Sequence, residues 1–361
     1  MNLELTDEQV ALRDTVRRFL AEKAPISEHV RGLLDDPTGR TDVVWRGLAD
    51  LGATGLLVPQ EFGGAGMTMV EAGIVAEELG AALHPGPWLS SAVAAARALT
   101  RLGGEASAEI LTGIADGTTT ATVCCLGATI PAVERDGVLC GELAGVPDAA
   151  AADVLLVPAE NGDGTGLFAV NATSPGISVI PERGIDQTRK QFRVVLDGVT
   201  AHRQGTVSPD DVAAVVDDVL IAMAADALGA AGAVMDMAVE YAKVRKQFGQ
   251  VIGSFQAIQH LCVDMYEIVE LARSGVIHAL WAADNADPDE RHLSAARAKA
   301  FAGRLATVGD TAIQVFGGIG YTWEHDAHLY LKRLLSWSAF LGGPDRYLAE
   351  LGGRLAKKEL S

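Results

Sequence analysis

One stretch decides how the chain is interpreted: Arg245-Lys-Gln-Phe-Gly-Gln-Val-Ile-Gly-Ser-Phe-Gln-Ala-Ile-Gln-His260. It separates two long helical patterns. An apolar, alanine-rich run from about Pro209 precedes it, and a second helical run continues beyond Arg273. The stretch supplies a guanidinium, several amides and two aromatic faces where two helices meet. A second glycine-rich turn follows in Gln314-Val-Phe-Gly-Gly-Ile-Gly320. We expect these two stretches to hold a dinucleotide cofactor.

The composition is that of an ordinary globular protein. The chain has 361 residues, of which 49% are hydrophobic and 21% charged, and it is long enough for two or three domains. The net charge of −18 argues against a nucleic-acid partner, which needs a basic face, and against docking on an anionic membrane.

The cysteines and the amino-terminal residues favour a cytoplasmic protein. The segment Met1–Glu8 is acidic and lacks the apolar core of a signal peptide, and no uninterrupted apolar run long enough to span a bilayer occurs in the sequence. The four cysteines, Cys124, Cys125, Cys140 and Cys262, lack the spacing of a zinc site, so reduced thiols are expected.

The pattern changes twice along the chain, which predicts an α+β protein of three domains. Residues 1–116 are predicted to be an amino-terminal α-helical domain and residues 208–361 a carboxy-terminal four-helix bundle. Residues 117–207 are short β-branched runs split by turns, which predicts a β-barrel or sandwich. In the last domain we expect long helices over about 255–284 and 288–315.

Three motifs in this order resemble the acyl-CoA dehydrogenase family. In the first domain Leu57-Val-Pro-Gln-Glu-Phe-Gly-Gly-Ala-Gly66, followed by Glu77-Glu-Leu-Gly80, is similar to the family's loop-and-helix signature. In the last domain Arg245–Gly249 with Phe255-Gln256, and Gln314–Tyr321, resemble its flavin-binding segments. The resemblance covers nearly the whole chain, and it implies the family's fold around a central β module.

The resemblance implies a tetramer in which each FAD lies between subunits. Arg245 then pairs with the FAD pyrophosphate, because a guanidinium fork suits phosphate oxygens. Gln256 hydrogen-bonds the same cofactor, and the backbone at Gly317 and Gly318 approaches its adenosine end closely because glycine has no side chain. In the family these residues reach the FAD of a neighbouring subunit. The cofactor-binding residues so implied are Arg245, Gln247, Phe248, Gln256, Gln314, Gly317 and Gly318.

The chain departs from the family at the catalytic base. The family reaction removes the α-proton of an acyl-CoA thioester, which needs a carboxylate. Relatives carry a glutamate at one of two places, and here these places hold Leu341 and, on the helix before Arg245, Val219. Asp218 is the alternative base, although one residue on a helix turns a side chain by about 100°. We therefore expect no catalytic residue on this chain.

The β module departs from the family as well. Relatives contact the flavin ring and the substrate through two polar segments, which here read Val123-Cys-Cys-Leu-Gly-Ala-Thr-Ile-Pro131 and Asp136–Pro147. Neither segment keeps the polar ligands. Asp186-Gln-Thr-Arg189 does survive, either as a structural turn or as a functional site.

These selective losses are typical of a non-catalytic partner subunit. Family members that act as α2β2 heterotetramers, many of them on steroid-derived CoA thioesters in actinobacteria, have this pattern. The resemblance implies an acyl-CoA substrate, a second dehydrogenase-like subunit and electron-transfer flavoprotein as acceptor. Two alternatives stay open: a self-sufficient homotetrameric dehydrogenase with an unrecognised base, and a non-enzymatic CoA-ester-binding scaffold.

Two further patterns have competing interpretations. The histidines of His325-Asp-Ala-His328 lack a third ligand, so we expect no metal site. Small side chains in the helix before Arg245 leave room for a bulky acyl group or let helices pack closely, and we favour packing. These small residues are Ala222, Ala224, Ala225 and Gly229.

Overall fold

The fold is taken from a computed structural model that describes residues 4–124, 132–162 and 164–359, without the side chains of residues 358 and 359. Helices dominate both ends of the sequence. In chain order they are α1 (Asp7–Lys23), α2 (Asp42–Asp50), α3 (Met69–Ala81), α4 (Ala96–Leu102), α5 (Ala108–Ala115), α6 (Pro209–Val244), α7 (Gln256–Asn285), α8 (Pro288–Ala302), α9 (Leu305–Phe316), α10 (Ala327–Ala339) and α11 (Pro344–Glu359).

The middle of the chain forms one eight-stranded sheet. Its order is β6-β7-β3-β2-β4-β5-β8, with β1 also paired to β4. Most pairings are antiparallel, whereas β1 and β2 each run parallel to β4. The strands are β1 (Ala121–Val123), β2 (Ala132–Arg135), β3 (Val138–Pro147), β4 (Val154–Asn161), β5 (Gly164–Asn171), β6 (Ile177–Glu182), β7 (Gln191–Thr200) and β8 (His202–Thr206).

The predicted fold class is confirmed: a helical amino-terminal domain, a central β domain and a helical carboxy-terminal domain follow one another. The boundaries at 116/117 and 207/208 stay predictions, and they fall between α5 and β1 and between β8 and α6. One predicted helix was wrong. The run 288–315 is two helices, because α8 ends at Ala302 and α9 begins at Leu305.

Gly303, between α8 and α9, lies at a close approach to α11. A Cβ on Gly303 would lie 2.5 Å from Cγ of Pro344, closer than such atoms approach. The backbone there has to pass the first residue of α11, and only glycine permits this.

The family-like signature Glu77–Gly80 holds helices together. Glu78 is 5% exposed, and its two carboxylate oxygens accept hydrogen bonds of 2.9 and 2.7 Å from the guanidinium of Arg17 on α1. Glu77 accepts a 2.7 Å hydrogen bond from Arg273 on α7. These bidentate and charge-assisted contacts make the signature a structural element of α3.

Helices α3 and α6 cross at a pair of glycines. A Cβ on Gly80 would lie 1.9 Å from the carbonyl oxygen of Asp226, and one on Gly229 would lie 1.8 Å from that of Glu77. No side chain fits at either position, so the two backbones touch directly. Gly229 therefore serves helix packing and leaves no room for an acyl group.

The chain divides into two compact units. One contains Met1–Ala21, Gly73–His84 and Met223–Ser361, and the other contains Glu22–Ala72 and Pro85–Ala222. The sheet belongs to the second unit, where its strands enclose an apolar core that includes Leu139, Leu143, Phe168 and Val194. Within the described ranges no helix has the length and apolarity needed to cross a bilayer.

Candidate functional site

A tight hairpin follows α6 directly. Lys246 pairs with Val251 and Gln247 with Gln250 in two short strands, β9 (Lys246–Gln247) and β10 (Gln250–Val251). Phe248 and Gly249 at the tip have φ angles of +53° and +82°. Positive φ at both central positions is what a type I′ turn requires, and this turn matches the twist of two strands.

Phe248 is an aromatic residue in a strained and exposed position. Its side chain is 91% exposed, and its ring meets that of Phe255 edge-on, with 6.1 Å between centroids. A left-handed conformation costs a non-glycine residue roughly 1 kcal/mol or more, and such outliers cluster at functional sites. The type I′ turn of the hairpin accounts for this backbone conformation, and it leaves the ring available for contact with another molecule.

Arg245 presents an available guanidinium at the base of this hairpin. Its backbone is fixed, because its N–H donates to Tyr241 (2.9 Å) and its carbonyl accepts from Ile252 (2.8 Å). Its side chain is exposed, and no hydrogen bond or ion pair of the guanidinium occurs among the described residues. A cation on a fixed backbone without an internal partner suits an external anion.

The glycine-rich turn after α9 is open. Gly317 has a φ of +65°, and a Cβ on either Gly317 or Gly318 would meet no atom within 4 Å. Gly317 is needed for its left-handed backbone, whereas Gly318 leaves free space above the chain. Gln314, one helical turn before the glycines, is exposed, and so is Gln256 at the start of α7.

The structure brings the two predicted stretches together through aromatic rings. The ring of Tyr241, four residues before Arg245, packs on Phe316 with 5.2 Å between centroids. Phe316 is the last residue of α9 and also contacts His325, with 4.3 Å between rings. The ends of α6 and α9 therefore lie side by side, with the hairpin and the glycine turn starting from this contact. Individual roles of the seven predicted cofactor residues stay predictions.

The aromatic residues after the glycine turn form a separate surface. Tyr321 is 75% and Trp323 57% exposed. The Trp323 ring contacts His328 with 4.7 Å between centroids, and the Lys332 ammonium lies 4.5 Å from the Trp323 centroid. His328 is thus engaged with an aromatic ring. Across the parts of the chain that the structure describes, no group of three metal-ligating side chains occurs.

Asp218, the alternative base, is an ion-pair residue. Its side chain is fully buried, and its carboxylate accepts hydrogen bonds of 2.8 and 3.3 Å from Arg101. A third contact of 3.5 Å joins it to Arg97. Two guanidinium groups stabilise the carboxylate in its charged form and occupy its oxygens. Val219, the next residue, is apolar and 6% exposed.

The loop between α10 and α11 presents an apolar residue at the other base position. Leu341 has a φ of +51° and Gly342 one of +102°. The Leu341 carbonyl accepts hydrogen bonds from Arg346 (2.9 Å) and from the Tyr347 hydroxyl (3.0 Å). The loop is therefore held in place, but a leucine side chain accepts no proton.

The described part of the β module places only some residues of the predicted segments. Cys124 is buried, and residues 125–131, which contain most of the first segment, lie outside the described residues. Asp136 begins the turn between β2 and β3 with a φ of +53°. Asp186 is 3% exposed and accepts hydrogen bonds from the backbone (2.8 Å) and hydroxyl (2.6 Å) of Thr188, which makes it a structural turn.

Comparison with protein families gives two matches. Residues 6–118 match the acyl-CoA dehydrogenase N-terminal domain, and residues 220–354 match the acyl-CoA dehydrogenase C-terminal domain. The acyl-CoA dehydrogenase IpdE2 of Mycolicibacterium smegmatis is 34% identical over 349 residues, which cover 96% of this chain and 98% of that protein. The acyl-CoA dehydrogenase FadE34 of Mycobacterium tuberculosis is 36% identical over 95% of this chain, but this match spans only 47% of its length.

Two solved structures share the fold closely. The ChsE4–ChsE5 complex from Mycobacterium tuberculosis superposes with a TM-score of 0.90 at 27% identity, covering 99% of both chains. The Tcur3481–Tcur3483 steroid ACAD G363A variant superposes with a TM-score of 0.88 at 29% identity, covering 98% of this chain and 99% of that one. Each of these two structures is named for two different proteins.

Proposed function

The chain belongs to the acyl-CoA dehydrogenase family, and from this we propose that it is the partner subunit without the catalytic glutamate in an FAD-dependent α2β2 acyl-CoA dehydrogenase. The substrate is an acyl-CoA thioester with a bulky, steroid-derived acyl group, and electron-transfer flavoprotein accepts the electrons. One observation carries the proposal. Both base positions are apolar, while the surfaces around Arg245 and Gly317 are exposed and unobstructed.

The exposed hairpin and glycine turn fit FAD that is shared with another subunit. Arg245 would hold the pyrophosphate as a fork donor, and Gln256 and Gln314 would donate amide hydrogen bonds. The open space at Gly317 and Gly318 admits the adenosine end. Gln247 and Phe248 lie on the same hairpin and would flank the cofactor.

The environment of the base positions supports a catalytic role for the other subunit. Leu341 cannot take a proton, and the Asp218 carboxylate is already bound by two guanidinium groups. The α-proton of the thioester is then removed by a carboxylate of the partner. Bound FAD supplies the acceptor for the hydride from the β-carbon. This chain would hold the pyrophosphate and the adenosine end of the cofactor, and thereby orient it for the subunit that carries the base.

The comparisons support a two-chain enzyme. FadE34 is about twice as long as this chain, the length expected for two such subunits joined end to end. The ChsE4–ChsE5 and Tcur3481–Tcur3483 structures have names of two chains each, and the second is described as a steroid ACAD. The assignment of a steroid-derived substrate depends on this similarity alone. The small residue Gly229 gives it no support, because the backbone of α3 fills the space beside it at the α3–α6 crossing.

The visible spectrum of the purified chain tests the proposal. We expect the chain alone to be colourless or poorly soluble, and to become yellow and active on co-expression with the second subunit. A yellow chain that alone reduces a ferrocenium-type acceptor with acyl-CoA would overturn the proposal in favour of a self-sufficient enzyme. A flavin-free complex that only binds CoA esters would favour the scaffold.

Substitution of Arg245 tests the cofactor assignment. Arg245→Ala removes a charge-assisted hydrogen bond of about 1.5–3 kcal/mol, so FAD should bind the complex roughly 10- to 140-fold more weakly. Lys243→Ala is the matched control, since Lys243 is exposed two residues earlier and pairs with Glu240. Equal flavin content in both variants, measured by absorbance after gel filtration, would show that Arg245 does not bind FAD.

A further inference from the structure

Phe316 lies at the centre of a stack of three rings. Its ring centroid is 5.2 Å from that of Tyr241 on α6 and 4.3 Å from that of His325, which lies two residues before α10 begins. The ring planes are tilted by 55° and 52°, an arrangement that aromatic pairs favour over a flat sandwich. Phe316 is only 5% exposed, so its ring is covered by the chain itself and presents no surface to a ligand.

The hairpin is fixed to α6 on one side of this stack. Arg245 donates its N–H to the Tyr241 carbonyl at 2.9 Å, so the two residues lie one helical turn apart on the same face of α6. The Ile252 N–H donates to the Arg245 carbonyl at 2.8 Å and holds the returning strand. A Cβ on Gly253 would lie 2.9 Å from the carbonyl oxygen of Ala242, so the returning chain passes close to α6. The position of Tyr241 therefore determines where Arg245 and the hairpin lie.

The glycine turn is fixed to Phe316 on the other side. The Gly317 N–H donates to the carbonyl of Ile313, and this bond ends α9 directly after Phe316. A Cβ on Gly320 would lie 3.1 Å from Cβ of Phe316 and 3.3 Å from Cδ1 of Ile313, so the turn folds back onto α9. Because Gly317 and Gly318 lie between these two anchored points, the position of Phe316 determines where their open backbone lies.

The third ring packs on Phe316 from the start of α10. The N–H of Ala327, the first residue of α10, donates to Nδ1 of His325 at 3.1 Å, which fixes the imidazole beside Phe316. The His325 N–H donates in turn to the carbonyl of Thr322 at 3.3 Å. The glycine turn therefore lies between the end of α9 and the start of α10, and Phe316 contacts residues on both sides of it.

We propose that Phe316 is a positioning residue for the cofactor, and that its ring sets the separation between Arg245 and the backbone at Gly317 and Gly318. This inference rests on the proposed function, in which these groups bind the pyrophosphate and the adenosine end of one FAD. Because both ends belong to one molecule, both contacts form together only at the right separation. A surface that has this separation before binding loses less conformational freedom and binds more tightly. Phe316 acts through its neighbours and does not touch the cofactor.

A double-mutant cycle of FAD affinity tests this coupling. The co-purified complex is depleted of flavin, and the dissociation constant is measured by titration with FAD and flavin fluorescence. Phe316→Leu keeps an apolar side chain but removes the ring, and it should weaken FAD binding about tenfold, the cost of ordering one loosened long side chain again on binding. In the Arg245→Ala background the same substitution should change the dissociation constant by less than about twofold, because only one of the two contacts is left.

Leu305→Ala is the matched control for lost packing. Leu305 is 0% exposed and is the first residue of α9, the helix that Phe316 ends. This variant should lower the melting temperature of the complex but leave the FAD affinity within about twofold in both backgrounds. Tyr241→Leu removes the half-buried ring that packs on Phe316 and should show the same dependence on Arg245. It replaces Phe316→Leu if that variant does not assemble.

Two results would overturn the positioning role alone. One is an unchanged FAD affinity in Phe316→Leu and Tyr241→Leu while Arg245→Ala weakens binding. The other is an equal loss of affinity for Phe316→Leu with and without Arg245, which would mean that Phe316 only stabilises the fold. Unchanged FAD binding in Arg245→Ala is a different outcome, because it rejects the cofactor assignment of Arg245 and the role of Phe316 with it.

Discussion

Substitution of Asp218 by asparagine tests whether this residue, the alternative catalytic base, stabilises the fold or takes part in catalysis. Asp218 is fully buried and contacts Arg101 and Arg97. In Asp218→Asn the shape is kept, but two guanidinium groups lose their counter-charge. If the carboxylate is an ion-pair residue, the complex should become less stable and keep its dehydrogenase activity.

The expected loss of stability follows from the exposure of the partners. Removing one member of a buried ion pair costs about 3–5 kcal/mol. The Arg101 and Arg97 side chains keep 23% and 11% of their surface in water, so the lower value of about 3 kcal/mol applies. For 361 residues the unfolding entropy is about 0.76 kcal/mol per kelvin, which converts this loss to a melting temperature lower by about 4 °C.

The assay combines thermal melting of the co-purified complex with acyl-CoA-dependent dye reduction at a temperature well below the transition. Asp236→Asn on the same helix is the control, because Asp236 is exposed and should shift stability by less than about 0.5 kcal/mol. We expect activity per flavin to change by less than twofold in both variants. An activity loss of a hundredfold or more with an unchanged melting temperature would identify Asp218 as the base and refute our reasoning.

Three further substitutions test individual contacts. Gly229→Ala places a methyl group 1.8 Å from the Glu77 carbonyl and should lower the unfolding free energy by about 1–3 kcal/mol, read from the melting temperature; an unchanged melting temperature would contradict the close crossing. Burial raises the pKa of Glu350, but His292 and Arg354 outweigh it and leave this pKa below its ordinary 4.5. The contribution of up to about 1 kcal/mol is therefore present above pH 4.5 and is lost as the pH falls below it, so Glu350→Gln should lower the melting temperature only above that pH. Burial lowers the pKa of Lys299, a fully buried residue of α8, from 10.5 to about 7, so stability should rise as the pH rises from about 7 towards 10.5, and Lys299→Met should reduce this rise in melting temperature.

Local signals were sufficient for most of the fold. The run Thr6-Asp-Glu-Gln9 has the form of a capping box, a local signal for a helix start, and both reciprocal hydrogen bonds are present at the start of α1, at 3.0 and 3.3 Å. The break between α8 and α9 was not predicted, and the requirement for glycine at 303 comes from Pro344, a residue distant in sequence. A glycine inside a helical pattern is compatible with either outcome until its tertiary neighbour is known.

The two stretches singled out in the sequence lie close together in the structure, and their role in cofactor binding stays a prediction. The motifs around Arg245 and Gly317 indicated the cofactor surface, and the Tyr241–Phe316 contact shows why the two stretches meet. The burial of Lys299 was missed. In Ala-Arg-Ala-Lys-Ala300 a lysine resembles a solvated helix residue, and only the packing of α8 against α10 reveals that it is enclosed.

The hairpin tip at Phe248 has a consequence for how the protein is produced in a cell. In the two-chain assembly proposed above, a chain made in excess of its partner leaves the 91% exposed Phe248 ring in water at the tip of a turn. Unassembled copies should then be degraded faster than assembled ones. We expect balanced translation of the two genes to limit that surplus.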